Sequence, residues 1–379
     1  LDLPMVFWCT APLLSSLANG LGMYDGLSAM QNQITTWGLP YLVGRIYLDS
    51  PEAFRTLAKA IFVGGLVYAP LCLLEIRISP QLHRILYGFY AHPDFAQTMR
   101  LGGYRPMVFM EHGLMVGMWM ASASLCGVWL WATGQVERIA GAPMRLLVPV
   151  LLVVTVLVKS SGALLLLVLG LGALFAARRQ ASRALLAVLL LASPLYMGLR
   201  TSGIWSGESL VDAVAAASED RAESLRFRIV NEDMLMDRAL EQPFFGWGGW
   251  GRARVYDPVS GEDLSTTDGL WIITLGNTGL FGLASMTAAL LLPAALFFAR
   301  RRDLSWARPP EAAAAALAVL LALYGVDNVL NAMVNPVFIL AAGGLTALAA
   351  QPRRAPAPMA EAAEPEAPAA LAGRGTRFI

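Results

Sequence analysis

The sequence predicts an all-α protein made of many membrane-crossing helices, on three observations. Of its 379 residues, 56% are hydrophobic and only 15% charged, against about 25% charged in an ordinary soluble domain. The mean hydropathy is +0.56. The apolar residues come in blocks of about 15–25, long enough to cross a hydrocarbon core of about 30 Å. These features exclude a soluble enzyme, a nucleic-acid-binding protein and a secreted disulfide scaffold.

Ten spans follow along the chain, at residues 4–22, 27–44, 57–78, 107–131, 146–158, 161–177, 184–199, 271–298, 313–333 and 336–350. The chain opens on Leu1 and enters an apolar stretch with no basic segment or cleavage site before it, so the first block is not a signal peptide. The expectation is that native sequence precedes it. Polar residues Gln31, Asn32, Gln33, Thr35 and Thr36 interrupt the second span. The fifth and sixth form one apolar run broken at Lys159-Ser160-Ser161-Gly162, too long for one helix, and predict a tight hairpin with Lys159 at its tip.

Basic residues recur at five connections: Arg45, Arg55 and Lys59; Arg138 and Arg145; Arg178, Arg179 and Arg183; Arg300, Arg301, Arg302 and Arg308; Arg353 and Arg354. With ten spans all five fall on one side, which the positive-inside rule makes the cytoplasm. The organisation expected is residues 1–199 as seven spans with an outward loop at 79–106, then a large outward loop at 200–270. Three spans follow over 271–350, and 351–379 form a disordered cytoplasmic tail rich in Pro, Ala and Glu. No internal repeat is visible.

Metal chemistry has little to build on. The three cysteines (Cys9, Cys72, Cys126) lie in apolar blocks, and the three histidines (His83, His92, His112) form no ligand spacing. The 28 basic and 27 acidic residues nearly cancel, so distribution matters more than total. Segment 200–270 carries 7 Arg and 13 acidic residues, a net charge of −6. Within it, 219–241 predicts a helix, acidic at its start and followed by Pro243. Leu225, Ile229, Met236 and Leu240 share one face. Arg221, Arg226 and Arg228 either sit on a solvated face of a helix lying on the membrane or point at an anionic substrate.

The next stretch, Pro243-Phe244-Phe245-Gly246-Trp247-Gly248-Gly249-Trp250-Gly251, combines turn-forming glycines with Trp247 and Trp250. Their rings suit either a membrane interface or stacking against a sugar. Segment 79–106 has a net charge of +2, His excluded, and ends at Gly103-Tyr104-Arg105-Pro106. It leads into a span carrying Glu111 and His112, and ionisable groups at that depth mark a site or a cavity. Asp327, Asn328, Asn331 and Asn335 form a comparable stripe near the outer end of the ninth span, where helix–helix hydrogen bonding is the other explanation.

These motifs, in this order, resemble the bacterial O-antigen ligase and O-antigen polymerase superfamily over about residues 41–345. The resemblance rests on Gly103–Pro106, on Ser160–Ala163 at the hairpin tip, on Pro243-x-x-Gly246-x-Gly248, and on Leu275 with Gly279-Leu280-x-Gly282. It implies a GT-C-like fold of about twelve spans and a metal-independent glycosyltransferase of the inner membrane whose active site faces the periplasm. The implied donor is a glycan on undecaprenyl diphosphate, with no cofactor and no nucleotide sugar. The acceptor is lipid A core for a lipopolysaccharide ligase. For a polymerase of O-antigen or exopolysaccharide it is another lipid-linked unit, and a chain-length regulator is then a partner beside the membrane lipids.

The implied site has Arg105 on the diphosphate and Asp268 at the acceptor. Lys159, Glu111, His112, Arg221, Arg226, Arg228, Trp247 and Trp250 contact the glycan or its carrier. Two departures stand out. Ser161 takes the place of the family's hairpin Arg, with Lys159 as a stand-in, and Asp268 takes the place of the loop His of the ligases, which favours a polymerase. The reading from another class is a polysaccharide flippase or transporter, which the polar stripe suits and the lack of repeats does not.

Overall fold

The computed structural model describes residues 1–92, 94–100, 102–216, 218–301 and 305–351. The expected disordered tail, with Arg353 and Arg354, and the loop residue Arg302 lie outside these. The described chain is an all-α membrane protein. Six helices are long and apolar enough to cross a bilayer: α4 (Pro51–Ile78), α6 (Gly113–Ala132), α8 (Ser161–Gln180), α9 (Ala184–Thr201), α12 (Leu270–Arg300) and α13 (Ala312–Leu330). Shorter apolar helices α1 (Leu3–Ala18), α7 (Met144–Leu157) and α14 (Pro336–Ala350) pack with them. The polar-interrupted second block forms α2 (Met23–Gln33), a π-turn at Ile34–Gly38, and α3 (Leu39–Tyr47). Of the remaining helices, α5 (Leu82–Tyr87) follows α4, and α10 (Glu208–Ala215) and α11 (Glu219–Leu240) lie between α9 and α12.

Helix starts follow their local chemistry. Ser50 caps α4 by accepting from Ala53 N (3.3 Å), with Pro51 in the first turn. Asn335 caps α14 through Val337 N (3.0 Å), ahead of Pro336. The chain breaks and turns where expected, with α7 ending at Leu157, α8 beginning at Ser161 and Lys159 at φ 60°, but the two helices pack on α6 and not tightly on each other. The fourth span starts later than its hydropathy suggests, at Gly113, because 107–112 are held as loop.

Connections gather at two ends of the bundle. At one, Arg45 pairs with Asp2 (3.0 Å) and Arg301 with Glu311 (2.9 Å). There too Arg178 donates to Ala132 O (2.7 Å) and Gln351 to Asp49 O (2.7 Å). This basic end collects the Arg-rich connections. At the other, the loop end, segments 79–112 and 200–269 meet the tip of the α7–α8 hairpin and the junctions α1–α2 and α13–α14. Helix α13 is the axis, buried almost throughout. Its run Ala312–Ala316 is fully buried, and small side chains let neighbouring backbones approach closely where lipid supplies little driving force between helices.

Candidate functional site at the loop end

Segment 79–112 is anchored by a carboxylate that the sequence reading passed over. Glu75, fully buried near the end of α4, accepts from Leu82 N (2.9 Å), Met107 N (2.8 Å) and Val108 N (2.7 Å). One side chain thus ties both ends of the loop to α4. A lone acid inside an otherwise apolar block was the available signal. Between these ties a short hairpin pairs Met99–Arg100 with Gly103–Tyr104, and the chain then turns at Arg105.

Arg105 is buried, with 5% of its surface exposed. Its stem crosses the first residue of α6, and a Cβ on Gly113 would come within 2.3 Å of Arg105 Cδ. Its head donates to Lys159 O (3.4 Å) at the hairpin tip, where the Lys159 ammonium lies against Gly103. Arg105 Nε has no partner, and among the described residues no carboxylate pairs with this guanidinium. Burial, reinforced by the charges of Arg100, Arg221 and Arg228, pulls its pKa down to about 10. Cations are crowded around it.

His112 caps α6 by accepting from Leu114 N at Nδ1 (3.0 Å), so its Nε2 carries the proton shared with Gln97 Oε1 (3.1 Å). Burial, with the charges of Arg105, Arg100 and Arg228 and a second histidine, His92, pushes its pKa down to about 4, so the ring is neutral. Glu111 beside it is exposed.

Helix α11 closes the site from above. Ala222, Leu225 and Ile229 pack on Val211 of α10 and on Leu330 at the end of α13. The expected apolar face holds except at Leu240, which is 40% exposed. A buried network locks the helix down: Arg200 of α9 pairs with Asp233 (2.8 Å) and Glu232 (3.5 Å), and Tyr196 donates to Glu232 (2.6 Å). Trp271 Nε1 adds a third contact to Glu232 (3.2 Å). Burial raises the Glu232 pKa, opposed by those donors. Sequence reasoning missed this network, since its members are far apart in the chain and each looks like an ordinary span-end or helix-surface charge.

The lock aims α11 so that Arg221 and Arg228 act on Arg105, while Arg226 is exposed on another face. Arg228 Nε meets Asp268 Oδ2 at 3.3 Å. Asp268 in turn sits at the start of α12, where Leu270 N donates to Asn331 O (3.0 Å). The structure therefore brings Arg105, Lys159, His112, Arg221, Arg228 and Asp268 to one place, with Asp327 and Asn331 beneath.

The aromatic–glycine stretch does something different. Helix α12 is broken at Gly279 (φ 65°, ψ −165°), a conformation open essentially to glycine. A break in a helix at membrane depth strands backbone groups that lipid cannot satisfy. Residues 243–248 satisfy them. Leu280 N donates to Pro243 O (2.8 Å) and Phe281 N to Phe244 O (3.1 Å), while Trp247 N donates to Gly276 O (2.8 Å) and Gly248 N to Asn277 O (3.0 Å). Helix α1 joins through Ser15 Oγ to Asn277 O (2.6 Å) and Asn19 Nδ2 to Gly246 O (2.7 Å). The motif residues Pro243, Gly246, Gly248 and Gly279 form a clasp. Trp247 belongs to it: Arg238 lies 3.5 Å over its ring, and its Nε1 donates to Arg238 O (2.7 Å). Trp250 is 80% exposed at the rim.

An apolar cavity of about 480 Å³ opens between α9 and α12, lined by Leu191, Pro194, Met197, Leu283, Thr287 and Leu291, and by none of the clustered cations. Set against known proteins, the chain matches no family model and no curated sequence.

Proposed function

We propose that this protein is a membrane glycosyltransferase that moves a glycan from a polyprenyl-diphosphate donor to an acceptor hydroxyl at the loop end, with polymerisation of lipid-linked repeat units as its reaction. One observation carries the reading: Arg105 is buried, has an unpaired Nε, and lies in the field of three further guanidiniums with no carboxylate on it. A diphosphate supplies the missing charge, and arginine matches phosphate geometry well.

In this mechanism Arg105 and Arg228 hold the diphosphate as it leaves with the electron pair of the glycosidic C–O bond. Asp268 takes the acceptor proton, while the acceptor oxygen bonds to the anomeric carbon. The apolar cavity beside α9 and α12 gives an isoprenoid chain a track at bilayer depth. The topology proposed is ten spans, with the basic end in the cytoplasm and the loop end outward, in a bacterial inner membrane.

The test uses purified protein in proteoliposomes with undecaprenyl-diphosphate-linked repeat units. A ladder of products supports the polymerase, and transfer confined to added lipid A core moves the assignment to a ligase. Passage of intact lipid-linked glycan across the bilayer without transfer overturns the enzyme reading in favour of a flippase.

A further inference from the structure

The polar stripe on α13 is left unused by that mechanism, and it carries an anomaly. Asp327 has one carboxylate oxygen bonded to Asn331 Nδ2 (2.8 Å), while the other, Oδ2, is buried with no partner among the described residues. Asn328 beside it is 2% exposed, and its amide approaches the Tyr324 hydroxyl without either atom completing a hydrogen bond. A buried carboxylate oxygen without a donor is costly and points to a partner that arrives in another state of the protein.

The surroundings identify that partner. Arg228 is the cation whose charge reaches Asp327. The apolar cluster of α10 and α11 that includes its neighbour Ile229 packs against Leu330, three residues along α13 from Asp327. Asn331, which holds Asp327 by its side chain, also holds the start of α12 two residues after Asp268 by its carbonyl. One guanidinium thus pairs by Nε with Asp268, and its charge also reaches Asp327, whose Oδ2 has no partner among the described residues.

We infer that Asp327 is a positioning residue for Arg228: when an anionic substrate enters, Arg228 turns from Asp268 to Asp327 Oδ2, which fixes the guanidinium toward the phosphates and leaves both oxygens of Asp268 free. This rests on the diphosphate reading above. It assigns the stripe a task in substrate binding rather than helix association, and it accounts for Asp268 being held by a single long contact.

The probe is inorganic pyrophosphate, titrated calorimetrically into the purified full-length chain in nanodiscs. Asp327→Asn keeps the side-chain size and removes the charge, and pyrophosphate affinity is expected to fall about tenfold, the loss of one charge-assisted contact. In an Arg228→Gln background the same change is expected to have no further effect, since Asp327 acts through Arg228. A structural role predicts equal losses in both backgrounds, and that result overturns the inference, as does wild-type affinity in Asp327→Asn. Asp327→Glu serves as the second probe where Asp327→Asn yields no folded protein. It keeps the charge and is expected to bind within about threefold of wild type, whereas a loss of tenfold or more overturns the inference. Wild-type protein that binds no pyrophosphate overturns both this inference and the diphosphate site. Coupled binding without glycan transfer supports the Arg228–Asp327 pair and removes the enzyme reading alone.

Discussion

The clasp around Gly279 and the cation cluster around Arg105 lie at the same end of the bundle and treat polar groups in opposite ways. In the clasp, the backbone groups stranded by the broken α12 find partners in residues 243–248 and in α1. In the cluster, Arg105 Nε and Asp327 Oδ2 are buried without partners, and like charges stand within reach of one another. Buried polar groups in a finished structure are satisfied. We read the satisfied region as architecture, and the proposed function gives the uncompensated one a ligand. The glycine- and tryptophan-rich stretch draws the eye in the sequence, yet it is the quieter arginine at the mouth of α6 that is left uncompensated.

The contrast can be broken most forcefully at Gly279. An alanine there meets a backbone conformation costing about 1–3 kcal/mol, and its Cβ falls 2.4 Å from the Phe244 carbonyl. Overpacking adds about 1–3 kcal/mol. Gly279→Ala is expected to lose most of its folded yield, read by size-exclusion profile and thermal melting in detergent. Near-normal melting with lost activity would move Gly279 from the clasp to the chemistry.

Asp268 should show the reverse pattern. Asp268→Asn keeps a side chain able to start α12 and is expected to melt like wild type while transfer falls by about 10²–10⁴, the usual worth of a general base. Asp268→His is expected to recover part of it. Full activity in the Asn variant would reduce Asp268 to a helix-start residue.

His112 tests burial beside crowded charge through pH. Its pKa is about 4 in the fold against an ordinary 6.5. The ring is neutral when folded and must charge on unfolding, so the stability it contributes is complete above pH 6.5 and is lost as pH falls toward 4. The loss is at most about 3 kcal/mol, at 1.36 kcal/mol per unit. Asn caps helices well, so His112→Asn is expected to match wild type at pH 7.5 and to melt higher than wild type at pH 4.5. Parallel melting curves at both pH values would show that neither burial nor the neighbouring cations lower the pKa of this ring.

Arg105→Lys sharpens the comparison within the cluster. Lysine keeps the charge and loses the planar fork, so the diphosphate reading expects about 1.5–3 kcal/mol of lost transition-state binding, or at least tenfold in rate. The measurement is polymer formed from lipid-linked donor at matched protein levels. Wild-type rates would make Arg105 an interfacial anchor.

Much of this was legible in the sequence, for physical reasons that also set the limits. Hydrophobic blocks set by bilayer thickness reveal α4, α8 and α9 within a few residues, and the Lys159 hairpin follows from a run too long for one helix. The late start of α6 was hidden because Met107 and Val108 are apolar, yet their backbones are claimed by Glu75. The break in α12 was hidden because Gly276 and Gly279 sit in a long, mostly apolar run whose repair comes from residues some thirty positions earlier. Arg105, Arg228 and Asp268 were visible one at a time. That Arg228 meets Asp268 and Arg226 faces away depends on the Arg200–Glu232–Asp233 lock, which no local pattern encodes.

The smallest expected effect falls on Trp247, where the clasp and the cluster make opposite claims on one side chain. If Trp247 stacks against a sugar, its ring face is part of the site and its loss costs activity. The geometry gives that face to Arg238, 3.5 Å away, and gives Nε1 to the Arg238 carbonyl at 2.7 Å. Trp247→Phe keeps an aromatic surface under the guanidinium and removes the hydrogen bond. The clasp reading therefore expects about 1 kcal/mol of lost stability, seen as a melting shift of a few degrees, with transfer rates within about twofold of wild type. Trp250 is the internal control, since among the described residues its exposed ring has no partner of this kind to lose, and Trp250→Phe should leave melting unchanged. An unshifted melting curve for Trp247→Phe together with a tenfold loss of transfer would reverse the assignment: the ring would then read glycan, and the clasp would extend into the active site instead of standing beside it.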